Sequence, residues 1–301
     1  MGSVSGGHLA AEVSNAGGLG MVGGGYGDPS WLREELARVK ARTHRPWGVG
    51  FITWSIDRSR IELALEYQPA ALMLSFGDPR PYGALVRAAG SKLICQVQDI
   101  EGARIAQQAG ADLIVAQGSE AGGHGARRAT LPLVPAVVDA VAPTPVLAAG
   151  GIADGRGLAA ALMLGAQGVL IGTRFYASVE ALGAEEAKRR IVAAKGAEAV
   201  RTRVFDIVRK FPWPEENTGR ALRNGFLERW HGREEALAQA CDPESAAYHD
   251  AVRRADYDTA VVWAGEAVDL IHDIDRAGAL VARIGAEAYA QLALAARLTA
   301  R

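Results

Sequence analysis

The sequence predicts an α/β fold: a TIM-type (β/α)8 barrel that lacks its first strand at the N-terminus and carries a helical C-terminal cap. Three observations predict it. Short apolar runs alternate with Ala-rich helical stretches at start-to-start spacings of 28, 24, 21, 20, 33 and 23 residues, with no break marking two halves. Glycine clusters sit at the carboxyl ends of these runs, where barrels build their sites. The last two runs both end in loops of the phosphate-binding kind, a position barrels commonly use for that purpose.

The runs begin near Leu19, Trp47, Ala71, Lys92, Asp112, Pro145 and Gly168. Each is nearly continuously apolar, as a parallel strand covered on both faces requires. Seven strands leave closure one short, and residues 8–16 already read as a helix, so the missing strand would precede residue 1. Beyond Arg174 the pattern changes. Residues 180–200 read as helical and charged. The stretch Phe211-Pro212-Trp213-Pro214 is neither a central strand nor a helix interior. Residues 220–260 again read as charged helix, an inserted cap. A last helix over 277–298 carries Val281, Ile284, Ala288, Leu292 and Ala295 on one face and is expected to pack back on the barrel. The expected division is therefore a barrel over 1–180, a mostly helical cap over 181–265, and a return segment with closing helix over 266–301.

Composition narrows the function classes. Thirty-three Lys and Arg against 34 Asp and Glu give a formal charge of −1, which speaks against a nucleic-acid partner. No apolar run approaches the roughly 18 residues that span a bilayer, and the start has no signal-peptide stretch. Cys95 and Cys241 make no disulfide framework or metal knuckle, so no metal is expected and a reducing, cytoplasmic compartment fits. His272, Asp273 and Asp275 sit in a polar link without ligand spacing and read as solvated. Cys95 reads as inert core. Trp213 and Trp230 read equally as packing residues or as the lining of a substrate mouth.

Gly18, Gly20 and Gly23 match the spacing of a dinucleotide fingerprint, but the order is helix, glycines, strand. The fingerprint needs strand, glycines, helix, so C-capping explains these glycines better. Gly150 and Gly151 do leave a strand for a helix, where free amides favour an anion. One repeat later, Gly172 and Thr173 form a second such turn with a hydroxyl. Two cradles on adjacent strands can grip one phosphate. Between residues 118 and 130 lies a connection longer than such units normally use. In it, Gly122 and Gly123 precede His124 and Gly125 follows, presenting an imidazole suited to proton transfer near neutral pH. Glu120 and Asp154 read as loop structure and helix start.

Four ordered motifs carry a resemblance: Ser14-Asn15-Ala16-Gly17-Gly18-Leu19-Gly20, Glu120-Ala121-Gly122-Gly123-His124-Gly125, Gly150-Gly151-Ile152-Ala153-Asp154-Gly155 and Ile171-Gly172-Thr173-Arg174-Phe175. Together they resemble the nitronate monooxygenase family, formerly 2-nitropropane dioxygenase, which includes FMN-dependent enoyl-acyl carrier protein reductases. The likeness runs from residue 1 to about 180 and resumes at Val261–Glu266. It implies an FMN-binding barrel with the phosphate on Gly150, Gly151, Gly172 and Thr173. It further implies that Gln96 and Gln117 face the flavin, that Ala121, Gly122 and Gly123 pass near its ring, and that His124 is the catalytic base. Trp263–Glu266 would return to the substrate side.

The implied reaction is oxidation of alkyl nitronates or nitroalkanes by dioxygen to carbonyl compounds and nitrite. Relatives carry an extra N-terminal strand ending in Ala-Pro-Met, and Met1 resembles that Met, so a seven-stranded form is expected to bind FMN weakly. Many relatives have Asn where this chain has Gly50, which removes a polar contact. The rival readings are an NAD(P)H-dependent enoyl-thioester reductase on the same scaffold, a non-flavin phosphate-binding isomerase or lyase, and a flavin-binding barrel without catalysis. Partners are a small-molecule substrate and dioxygen, with a homodimer left open.

Overall fold

In the computed structural model, Gly2 and residues 4–299 are described. Met1, and with it the resemblance to the family's Met, lies outside the described residues.

Seven parallel strands form one curled sheet: β1 (Gly20–Gly25), β2 (Trp47–Ile52), β3 (Ala71–Ser75), β4 (Lys92–Val97), β5 (Leu113–Gln117), β7 (Val146–Ala149) and β8 (Val169–Leu170). They pair in chain order, skipping only the short β6 (Gly123–Gly125), which belongs elsewhere. Alternation along each strand divides the core in two. Val22, Val49, Phe51, Leu72, Leu74, Leu93, Cys95, Ile114, Ala116 and Ala148 point outward into a layer of helix residues that includes Leu32, Leu36, Ile61, Val86, Leu133 and Val137. Ala71, Met73, Ile94, Val115 and Ala149 meet in the lumen with Met21, Leu113, Leu147 and Leu170. A filled lumen inside a ring of helices is the barrel arrangement that the strand–helix repeat predicts. Asp28, Asp57, Asp99 and Asp154 each cap the helix that follows a strand by accepting backbone N–H groups, so Asp154 is the helix start expected of it.

β1 and β8 are the two edges of the sheet. On the β1 edge, Gly23 N donates to the Ser5 carbonyl at 2.8 Å and Ser5 Oγ donates to the Met21 carbonyl at 2.6 Å, while Leu182 N donates to the Val4 carbonyl at 2.8 Å. The first glycine motif is structural. Ser14 Oγ accepts from Gly20 N at 3.0 Å and donates to the Pro46 carbonyl at 2.8 Å, tying the first helix, Gly7–Asn15, to the start of β1. A Cβ on Gly20 would run into the Ala10 backbone of that helix. Gly20→Ala is therefore expected to lower stability by about 2–3 kcal/mol, read as a lower urea midpoint at unchanged m.

The cap differs from expectation. Helices Glu185–Ala193, Val204–Arg209, Gly225–Trp230, Glu234–Gln239 and Cys241–Arg253 are present, but so are two strands, β9 (Ala199–Thr202) and β10 (Thr218–Leu222). These make an antiparallel sheet in the order β6-β10-β9, so the histidine segment pairs with the cap rather than running free. Trp230 packs in the cap's own core with Phe205, Phe226 and Tyr248, which removes it from any substrate mouth. The closing helix, Ala277–Thr299, buries Leu280, Ile284 and Ala288 against helix Gly155–Met163. Gly155 permits that contact: its N–H donates to Glu287 at 3.0 Å, and a Cβ there would strike Glu287 and Ala288. Among the described residues no helix is long and apolar enough to cross a membrane.

Candidate active site

The carboxyl ends of the strands gather the predicted residues. Gln96 and Gln117 follow the inward Ile94 and Val115 by two positions, so both face the lumen mouth. Gln117 is engaged on both ends, with one N–H and one lone pair left over: its Nε2 donates to the His124 carbonyl at 3.1 Å and its Oε1 accepts from Gln98 at 2.9 Å. It holds the histidine segment in place. Gly150 has φ +100° and Gly151 φ +73°, conformations that other residues rarely adopt. A Cβ on Gly150 would lie 2.9 Å from the Gly118 carbonyl and 3.1 Å from Ala121 N. Gly122 lies against the Ala264–Gly265 backbone, whereas Gly123, at φ +72°, and Gly172 face open space.

Thr173 Oγ1 accepts from Gly265 N at 3.0 Å, leaving its own O–H to donate. Glu266 N donates to the Glu120 carbonyl at 3.0 Å. Both glycine loops, the histidine segment and the 263–266 return segment thus meet at one place. Glu120 pins the loop, its carboxylate accepting from Thr130 N at 3.0 Å and Thr130 Oγ1 at 2.9 Å. Arg174, by contrast, is buried in an ion pair with Asp273 at 2.9 Å, so it braces the return segment and gives Asp273 a structural partner.

His124 sits in β6 opposite Gly219 of β10. Only a glycine fits there, because a Cβ would strike the Trp263 ring. The imidazole is nearly buried, with its side chain 8% exposed, and Nε2 lies 2.8 and 2.9 Å from the two oxygens of Asp206. Trp213 lies flat on the ring, with centroids 3.6 Å apart and planes 5° apart. The Trp213 indole N–H donates to Tyr26 Oη at 2.9 Å, and Trp54 and Phe76 meet the indole edge-on. Tyr26, Trp54 and Phe76 follow β1, β2 and β3, so an aromatic wall spans three strand ends.

Burial above all holds the His124 pKa below its usual 6.5. The Asp206 carboxylate partly offsets this, and the Arg209 charge adds to the lowering. The ring is therefore uncharged at neutral pH and able to take a proton. Burial pushes the Cys95 thiol up to about 12, which leaves it inert. Asp206 and the aromatic wall were not among the residues the sequence singled out. Trp213 was, and its packing role turns out to be against the histidine.

The family model described as nitronate monooxygenase matches residues 1–57 and 51–287. A Neurospora crassa protein described as nitronate monooxygenase is 33% identical across 95% of this chain and 86% of its own length. The chain belongs to the nitronate monooxygenase family. The chain is also similar to a Mycobacterium tuberculosis protein described as (3aS,4S,5R,7aS)-5-hydroxy-7a-methyl-1-oxo-octahydro-1H-indene-4-carboxyl-CoA dehydrogenase, 38% identical over 64% of this chain and 56% of that protein, and to two solved structures. FabK from Thermotoga maritima superposes with a TM-score of 0.87 at 31% identity, covering 99% of this chain and 93% of that one. Nitroalkane oxidase from Streptomyces ansochromogenes superposes at 0.84 and 29%, covering 97% and 95%.

Proposed function

We propose that this nitronate monooxygenase family member is an FMN-dependent oxidoreductase that oxidises alkyl nitronates and nitroalkanes with dioxygen. The observation that carries the reading is a buried, uncharged imidazole at the mouth of the barrel, beside two glycine loops on neighbouring strands. The residues present fit a flavin. Ser75 Oγ, inward at the end of β3, is buried without a hydrogen-bond partner, next to Gln96, whose amide is also unbonded among the described residues. An orphaned buried hydroxyl costs about 1–3 kcal/mol, which a polar ring edge at this position would recover. A Cβ on Gly172 or Gly123 would meet no atom within 4 Å, so neither loop is packed over at that point.

Gly150, Gly151, Gly172 and Thr173 would hold the phosphate through backbone N–H groups and one hydroxyl. Gln96 and Ser75 would meet the ring, and Ala121, Gly122 and Gly123 would run along it. Bound FMN supplies the oxidation of the nitronate and the reduction of dioxygen, with a carbonyl compound and nitrite as products. His124 accepts the proton α to the nitro group when the substrate arrives neutral. Trp213, Trp54 and Tyr26 wall the site from water, and a planar nitronate suits such flat walls. Residues 1–180 carry the cofactor loops, while the cap, 181–265, supplies Asp206 and Trp213. The unpaired Cys95 and Cys241 support a reducing, cytoplasmic setting.

The likeness to FabK keeps an NAD(P)H-dependent enoyl-thioester reductase as the second reading. One experiment separates the two: an absorption spectrum, then oxygen uptake with propionate 3-nitronate, then anaerobic mixing with NADPH. A yellow protein that consumes oxygen with the nitronate and bleaches slowly or not at all with NADPH is the expected result. Fast bleaching would favour the reductase, and a protein that stays colourless and takes up no flavin when FMN is added would remove both readings.

A further inference from the structure

We propose that Asp206 is a positioning residue that fixes the tautomer of His124, so that Nδ1 rather than Nε2 receives the substrate's proton. The inference deepens the function proposed above and rests on it. Asp206 lies 82 residues beyond His124, on helix Val204–Arg209 of the cap, and its side chain is 5% exposed. Both of its oxygens lie within 2.9 Å of Nε2. An ionised carboxylate only accepts hydrogen bonds, so Nε2 must carry the hydrogen and Nδ1 the lone pair.

The ring is held in that setting. Trp213 covers one face at 3.6 Å, Trp263 stands at 5.3 Å with its plane tilted by 49°, and Gln117 grips the main-chain carbonyl of His124. Turning the imidazole over would separate Nε2 from Asp206 and leave a buried carboxylate unpaired, an expensive state. No described group bonds to Nδ1, which leaves it as the ring's one unengaged polar atom. Among the described residues, the charged groups acting on the ring are Asp206 and Arg209 from the cap helix, with Tyr26 one step further out, bonded to Trp213. Of these only Asp206 touches the imidazole. It therefore both sets the tautomer and raises the basicity that burial reduces.

Proton transfer by a well-placed base contributes about 10²–10⁴-fold to a rate, and a wrongly set tautomer forfeits much of it. Asp206→Asn keeps size and polarity but loses the charge. The expected result is about a hundredfold lower kcat on a neutral nitroalkane, with the ascending limb of the pH profile displaced to lower pH. Oxidation of the preformed nitronate should change by only a few-fold. Asp206→Glu should restore part of the loss.

A second readout does not depend on turnover. In ¹⁵N-histidine spectra of the purified protein, the His124 proton should sit on Nε2 in the native chain, and Nδ1–H should gain population in Asp206→Asn. A native proton on Nδ1 would overturn the proposal, as would equal loss on both substrates with an unmoved pH limb. If the native chain oxidises neither substrate, the proposed reaction fails, and the spectra still decide whether Asp206 fixes the tautomer.

Discussion

His124→Ala is expected to abolish turnover of neutral nitroalkanes while leaving oxidation of preformed nitronates largely intact. A nitroalkane must lose its α proton before it can be oxidised, and the base proposed for that step is the uncharged imidazole at the barrel mouth; a nitronate has already lost that proton. The loss on the neutral substrate should reach about 10²–10⁴-fold, the usual worth of a general base. In the native chain that activity should rise with pH through a midpoint below 6.5, because burial disfavours the imidazolium.

Removing the ring also strips Asp206 of its partner, so the alanine variant should lose about 3 kcal/mol of stability. His124→Gln, which can still offer an N–H to the carboxylate, serves as the second variant. Oxygen uptake with nitroethane and with its nitronate, measured on both variants below their melting temperatures, checks the expectation. Equal loss on the two substrates would remove the base from the mechanism.

The barrel could be read from the sequence because its strands are buried on both faces. Continuous apolar runs such as Leu113–Ala116 have no other stable home, and their spacing leaves room for one helix between each pair. The glycine loops were readable for a related reason, since positive φ at Gly150 and Gly151 demands glycine whatever surrounds them. The cap's sheet was not. β9 and β10 each carry an arginine at their centre, Arg201 and Arg220, which lie directly opposite in the register. In sequence they look like solvated charge.

In the structure those two guanidinium groups are largely buried and donate to carbonyls of Ser119, Gly125, Thr218 and Ala199, lacing the histidine loop to the cap. Desolvation pulls the Arg201 pKa down to about 10. Asp206 escaped notice because its helix spans six residues, too short for a periodic signal, and its partner is 82 residues away. What could have flagged it is a lone acid between Phe205 and Ile207, in an apolar stretch where an unpaired charge would be costly.

Gly172→Asp is expected to strip the flavin without disturbing the fold. Gly172 has φ −103° and ψ −72°, a backbone conformation open to any residue, and a Cβ there meets nothing within 4 Å. The protein alone should therefore tolerate the side chain, its urea midpoint shifting by no more than about 0.5 kcal/mol, as for other substitutions free of packing conflict. If the proposed phosphate site is right, a new carboxylate beside Thr173 opposes the phosphate charge inside a partly screened cleft. A repulsion of about 3 kcal/mol corresponds to roughly a hundredfold weaker binding.

The neighbouring cradle cannot give so clean a result. Gly150 combines φ +100° with a Cβ position 2.9 Å from the Gly118 carbonyl, so any substitution there weakens the fold as well as the site. FMN titration by fluorescence quenching, run beside a denaturation curve of the same Gly172→Asp preparation, separates the two effects. Flavin retained at native affinity would place the phosphate elsewhere and detach Gly172 and Thr173 from the cofactor. Flavin lost together with stability would mean that the glycine serves the turn alone.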